Sequence, residues 1–191
     1  MDLPRFLSRT RTRTSRPALS ALGVAALVAG TLLALPAQAA TTVTPKAVAS
    51  PPLQLMNVGT GECLSPAGGG TAVSTTVVQF FCDTDKARRF TLLKIGKNFE
   101  LRDNKSNKCL SPASDGTAPN ATIVQYFCAN DPSEAWTLSF QQFTGSYRLV
   151  NVRSRLCLAM PTASSPTNAA AVQHACDTDP SRRFILAAQP R

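Results

Sequence analysis

The chain has 191 residues, with 20 Lys and Arg, 11 Asp and Glu, six Cys and a single His. One histidine leaves almost no material for a Ser-His-Asp or Cys-His catalytic set, so the chain reads as a non-enzyme. Five of the basic residues and one acid lie in the first 39 positions; the remainder holds 15 basic and 10 acidic residues, a net of +5 scattered without a basic run, which argues against nucleic-acid binding.

The first 39 residues read as a secretory signal peptide. Arg5, Arg9, Arg11, Arg13 and Arg16 form a basic head, Ala18 to Leu35 is apolar, and Pro36 with Ala37-Gln38-Ala39 supplies a breaker and small residues suited to cleavage. An uncleaved anchor is the competing reading, because about 18 apolar residues just span a bilayer. Cleavage leaves a secreted, extracellular product with no stable membrane insertion. Residues 40–52 are Thr, Ala, Val, Pro, Ser and one Lys, and read as a linker.

From Leu53 onward one unit is written three times, over about 53–98, 99–146 and 147–191. Cys63 and Cys82, Cys109 and Cys128, and Cys157 and Cys176 are each 19 residues apart, and the first members recur after 46 and then 48 residues. Six cysteines in an exported chain allow 15 pairings. A unit copied threefold should carry its own bond, which predicts 63–82, 109–128 and 157–176. Each would close a loop worth roughly 3 kcal/mol in the chain-entropy model. Zinc ligation fits poorly, since the spacings are not short knuckles and one histidine cannot complete a site. No cofactor or metal is expected.

Within the first copy, strands are expected near 53–58, 61–65, 75–81 and 88–94, separated by turn residues such as Gly59-Thr60-Gly61 and Gly68-Gly69-Gly70. No apolar stretch keeps a helical period for three turns. Four short strands cannot bury both of their faces, so twelve should close around one shared core. Phe90, Trp136 and Phe184 recur at the same offsets, and with Leu55, Leu101, Leu149, Leu64, Leu110 and Leu158 they form the expected core layers. Gln79, Gln125 and Gln173 also recur; they read either as ligand contacts or as buried amides bonding the following turn. Asp85, Asp131 and Asp179 read as turn residues, two of them beside Arg88 and Arg182.

Cys-Leu at the start of each unit, Val-Gln in its middle and an aromatic-ended triplet after the second cysteine resemble the ricin-type β-trefoil lectin domain. The triplets read Arg88-Arg89-Phe90, Glu134-Ala135-Trp136 and Arg182-Arg183-Phe184 where that family has Gln-x-Trp. The resemblance implies an all-β trefoil of three pseudo-symmetric four-stranded repeats, and a shallow sugar pocket in each. Its pocket uses an Asp two residues after the first cysteine, an aromatic two before the second, and Asn-Gln opening the triplet. Here these positions hold Ser65, Ser111 and Ala159; Phe80, Tyr126 and His174; and Ala87-Arg88, Ser133-Glu134 and Ser181-Arg182.

The second copy keeps the most sugar-like set: Ser111, Gln125, Tyr126, Asn130 and Glu134. Ser65 and Phe80 of the first copy follow, and the third copy, with His174 and Ala159, is expected to hold no site. The functional expectation is a secreted, non-catalytic carbohydrate-binding module with weak affinity for a glycan or polysaccharide. The alternative is a trefoil that contacts a protein partner without binding sugar, similar to accessory trefoil subunits of some bacterial toxins.

Overall fold

Each copy opens on a short run in which alternate side chains are apolar, and a run of that period lies half-buried on a sheet. In the computed structural model, which describes residues 49–188, these runs are strands. The signal peptide expected at 1–39 and most of the linker at 40–52 lie outside the described residues. The first copy contributes β1 (Leu53–Asn57), β2 (Cys63–Pro66), β3 (Val77–Phe80) and β4 (Phe90–Ile95). The second contributes β5 (Asn98–Asp103), β6 (Cys109–Pro112), β7 (Ile123–Tyr126) and β8 (Ala135–Gln141). The third contributes β9 (Ser146–Asn151), β10 (Cys157–Ala159), β11 (Val172–His174) and β12 (Phe184–Ala188).

Antiparallel pairing joins β1 to β4, β4 to β5, β5 to β8, β8 to β9, β9 to β12 and β12 back to β1, a closed six-stranded barrel. Closure leaves no barrel edge unpaired. The hairpins β2–β3, β6–β7 and β10–β11 stand apart and touch one another through the bridges Thr76 to Val124, Val78 to Ala170 and Thr122 to Val172. Phe90, Trp136, Phe184 and the six leucines of the expected layers are all fully buried in one core. The three disulfides join Cys63 to Cys82, Cys109 to Cys128 and Cys157 to Cys176.

The recurrent glutamines take the structural role, but not the one expected. Each reaches out of its own copy rather than to its following turn. The Gln125 amide nitrogen donates to Gly70 O at 2.9 Å and Ala72 O at 2.8 Å in the first copy. Gln173 donates to Gly116 O and Ala118 O in the second, and Gln79 to Ser165 O and Pro166 O in the third. The three amides therefore tie the hairpin cap together in a cycle, and each buried glutamine finds its acceptors on the loop of another copy.

A second buried set sits at the end of the first strand of each copy. Asn57, Asp103 and Asn151 accept two backbone N–H groups each from the turn that follows. Asn57 and Asn151 also donate, to Ser181 O at 2.8 Å and Ser133 O at 2.7 Å. Asp103 has no amide hydrogen, and its Oδ2 is buried without a partner.

The change from a 46- to a 48-residue offset is localised in one hairpin. Between β4 and β5 the pair Ile95–Asn98 encloses two residues, Gly96-Lys97. Between β8 and β9 the pair Gln141–Ser146 encloses four, Gln142-Phe143-Thr144-Gly145.

Candidate functional site

In the second copy a cavity of about 520 Å³ is lined by Ser74, Ser111, Pro112, Ala113, Ser114, Asp115, Val124 and Tyr126. β6 supplies Ser111 and β7 supplies Tyr126; the register pairs Ser111 with Val124 and Cys109 with Tyr126, so both residues belong to one hairpin. Tyr126 is 47% exposed, its ring edge-on to Phe127 at 5.6 Å. Ser111 is buried and donates its hydroxyl to Pro112 O at 3.2 Å. The tight turn Ala113–Asp115 carries Ser114 and Asp115 onto the same wall.

That turn contains a site residue the resemblance did not point to. Ser114 and Asp115 have φ of 53° and 54°, a left-handed conformation that side chains other than glycine rarely adopt. The first copy fills the matching positions with Gly68 and Gly69, at φ 59° and 63°. The Asp115 carboxylate lines the cavity, with Arg153 Nη1 at 3.8 Å from its Oδ2. Asp115 thus brings to this pocket the carboxylate that position 111 lacks. The visible signal in the sequence is Ser-Asp in the turn where the sibling copy has Gly-Gly.

The remaining predicted residues of the second copy do other things. Gln125 is fully buried, with its carbonyl oxygen accepting from the Ser106 hydroxyl at 2.7 Å and its nitrogen bound to the first copy. It therefore belongs to the fold and not to the ligand set. Glu134 is also buried: its Oε2 accepts the Ala129 N–H at 2.7 Å, and it does not line the cavity. Burial first, and then the nearby charge of Glu100, hold the Glu134 carboxyl above the usual range, against the opposing bond from Ala129. Asn130 is exposed, and its backbone N–H donates to Glu100 Oε1 at 2.7 Å. Glu100, Cys109 and Cys128 come together, but both sulfurs are joined in a disulfide and offer no thiolate to a metal.

The first and third copies are built differently at the position of Glu134. Arg88 is held by Asp83 at 3.0 Å and Asp85 at 3.6 Å, and its guanidinium lies 4.6 Å over the Phe80 ring. Arg182 is held by Asp177 at 3.2 Å and Asp179 at 3.3 Å, and it meets His174 Nδ1 at 3.0 Å. In the first copy the arginine covers the ring that a sugar would stack upon; in the third it holds the imidazole by its edge nitrogen. Ser65 beside Phe80 is buried, with its hydroxyl on Pro66 O.

In the second copy the residue matching Asp83 and Asp177 is Ala129, and no arginine covers Tyr126. The aspartates at 85, 131 and 179 all start short turns, accepting the N–H of Ala87, Ser133 and Ser181. Those bonds, with the Ser133 and Ser181 hydroxyls in two cases, hold all three carboxyls below the usual range.

The sequence matches the ricin-type beta-trefoil lectin domain over residues 51–184. No curated protein matches the sequence. Among solved structures, the designed threefold-symmetric protein ThreeFoil superimposes with a TM-score of 0.69 at 21% identity, covering 72% of this chain and 99% of that one. The ricin B-like lectin of Macrolepiota procera, solved in complex with lactose, gives 0.65 at 12% identity, covering 75% and 99%. An exo-beta-1,3-galactanase from Clostridium thermocellum gives 0.70 at 14% identity over 73% of this chain, but this fold makes up only 30% of that chain.

Proposed function

This chain belongs to the ricin-type β-trefoil lectin family, and from that premise we propose that it is a secreted, non-catalytic module that binds glycans through the pocket of its second copy. The family, three disulfides and no free cysteine among the described residues support an extracellular carbohydrate-binding role. One observation carries the choice of site: only Tyr126, among the three residues at its position, faces a cavity without a guanidinium upon it.

A half-exposed ring offers an apolar platform for the C–H face of a sugar. Asp115 supplies a charged acceptor for sugar hydroxyls, and Ser74, Ser111 and Ser114 supply neutral partners. The working ligand set is therefore Tyr126, Asp115, Ser111, Ser114 and Ser74. A single shallow pocket of this kind implies weak binding, without the gain that linked equivalent pockets would bring.

Titration with neutral mono- and disaccharides, beginning with lactose, tests this. Wild type should bind, Tyr126→Ala should abolish binding, and Asp115→Ala should weaken it about 10- to 100-fold, the range for a charge-assisted hydrogen bond. No detectable binding on a broad glycan array would overturn the reading. A protein-contact role draws on a different observation, the rings of Phe81 (beside Phe80) and Phe127 (beside Tyr126), which are 62% and 60% exposed. Retention of a partner from culture fluid that is lost in a Phe81→Ser, Phe127→Ser variant would favour it.

A further inference from the structure

The four-residue turn between β8 and β9 is an insertion relative to its β4–β5 counterpart, and at its tip Phe143 is fully exposed. Beside it Phe140 is 55% exposed and packs on Tyr147 at 5.1 Å between ring centroids. Nothing in the barrel requires this extension, since two residues close the equivalent hairpin. The turn overhangs a cavity of about 340 Å³ lined also by Gln141, Thr144, Arg148, Thr178 and Arg183. No carboxylate is in its lining.

Arg148 has been released from a structural duty. In the other copies the matching residue fastens the loop after the second cysteine: Gln54 donates to Asp83 O, and Glu100 accepts from Asn130 N. The Arg148 and Arg183 side chains make no hydrogen bond or close ion pair among the described residues, and the Nε of each is buried without a partner. Two partly buried guanidinium groups share one concave wall that holds no carboxylate; the charge of Asp179, outside the lining, offsets that of Arg183 only in part, and the wall keeps a local positive potential. Their planar donor sets match carboxylate, sulfate or phosphate oxygens. Exposed rings and amide and hydroxyl groups on the same wall suit a sugar ring more than a lipid chain.

We propose that this cavity is a second glycan site, separate from the Tyr126 pocket, and that it selects acidic sugars. Arg148 and Arg183 bind the anionic group, while Phe140 and Phe143 pack on the ring and its neighbour along a chain. The ligand class rests on the glycan-binding reading above; the site does not share a lining residue with the Tyr126 pocket.

Titration of the whole protein with oligogalacturonate tests it, with the methyl-esterified oligomer as the uncharged control. Wild type should bind the acid form with a salt-sensitive affinity and ignore the ester. Arg148→Gln and Arg183→Gln should each weaken binding at least ~10-fold, Phe143→Ser should weaken it without changing the melting temperature, and Tyr126→Ala should leave it intact. Loss of neutral-sugar binding alone, with acid binding retained, would discard only the Tyr126 pocket. Equal binding of acid and ester, or no response to the arginine variants, would overturn the proposal. So would binding confined to phosphatidylserine vesicles, which would make the hairpin a lipid-docking tip.

Discussion

At one position of the repeat the first and third copies place Arg88 and Arg182, and the second places Glu134. Both solutions hold the loop after the second cysteine, from opposite sides of charge. The arginine copies clamp two aspartate side chains; the glutamate copy has lost the first aspartate, at Ala129, and grips that residue's N–H instead. The two changes belong together, because Asp at 129 beside buried Glu134 would set like charges against one another. What differs is the surface left behind. Arg88 extends over the Phe80 ring and Arg182 bonds the His174 edge, whereas Glu134 turns inward and leaves Tyr126 half exposed. On the proposed reading, the exposure of Tyr126 is thus governed by a residue that does not itself line the pocket.

The largest expected effect would test where the copies ought not to differ. Phe90→Ala, Trp136→Ala and Phe184→Ala each empty the same fully buried layer, and each should cost about 3–5 kcal/mol in denaturant unfolding. Markedly different losses among Phe90 and Phe184, which share a side chain, would mean that the threefold symmetry of the packing is only nominal. Trp136 carries one extra link, a bond from Nε1 to Leu110 O at 3.0 Å, so its loss should stand at the upper end.

A smaller effect should come from converting the second copy into its siblings. The Ala129→Asp, Glu134→Arg double variant supplies both halves of the clamp at once. It should fold with nearly unchanged stability and lose neutral-sugar binding ~10-fold or more, as the new guanidinium settles over Tyr126. Unchanged binding in this variant, measured by the same titration, would show that the exposure of Tyr126 does not depend on the sign of the charge at 134.

The sequence carried the fold because spacing repeats: cysteine pairs, buried aromatics and alternating strands recur at fixed offsets, and only one closed arrangement buries all three copies. The pocket was half legible. Ser111 and Tyr126 line it as their positions implied, since β-hairpin register is set by the same spacing. Recurrence singles out Gln125 and the family's Gln position singles out Glu134, but whether such a side chain turns in or out depends on its acceptors and donors in the fold, Gly70 O and Ala72 O for one and Ala129 N for the other. Asp115 escaped because a left-handed turn leaves its mark only as glycine in a sibling copy. Arg148 and Arg183 lie 35 residues apart in sequence, and no local pattern shows that they share a wall.

The finest difference between copies is Asp103, which stands where the siblings have Asn57 and Asn151. Those asparagines donate to backbone carbonyls in a neighbouring copy's turn, Ser181 O and Ser133 O; the carbonyl in the matching place for Asp103 is that of Ala87, on the turn against which β5 packs. Burial, opposed by bonds from Ser106 and Lys105 and by the Lys105 charge, holds the Asp103 carboxyl above its ordinary value of 3.8. The folded state therefore binds this proton more tightly than the unfolded chain does. Its contribution is fully present below the unfolded value and is lost as pH rises through the raised folded one. Asp103→Asn supplies the missing donor at every pH. The variant should be more stable than wild type by about 1–3 kcal/mol at pH 7, and the gain should shrink as pH falls toward 4 and wild-type Asp103 takes up its proton. Thermal unfolding across that range checks the sign: a gain that stays constant with pH would mean that Asp103 is ionised throughout and that the advantage of asparagine lies elsewhere.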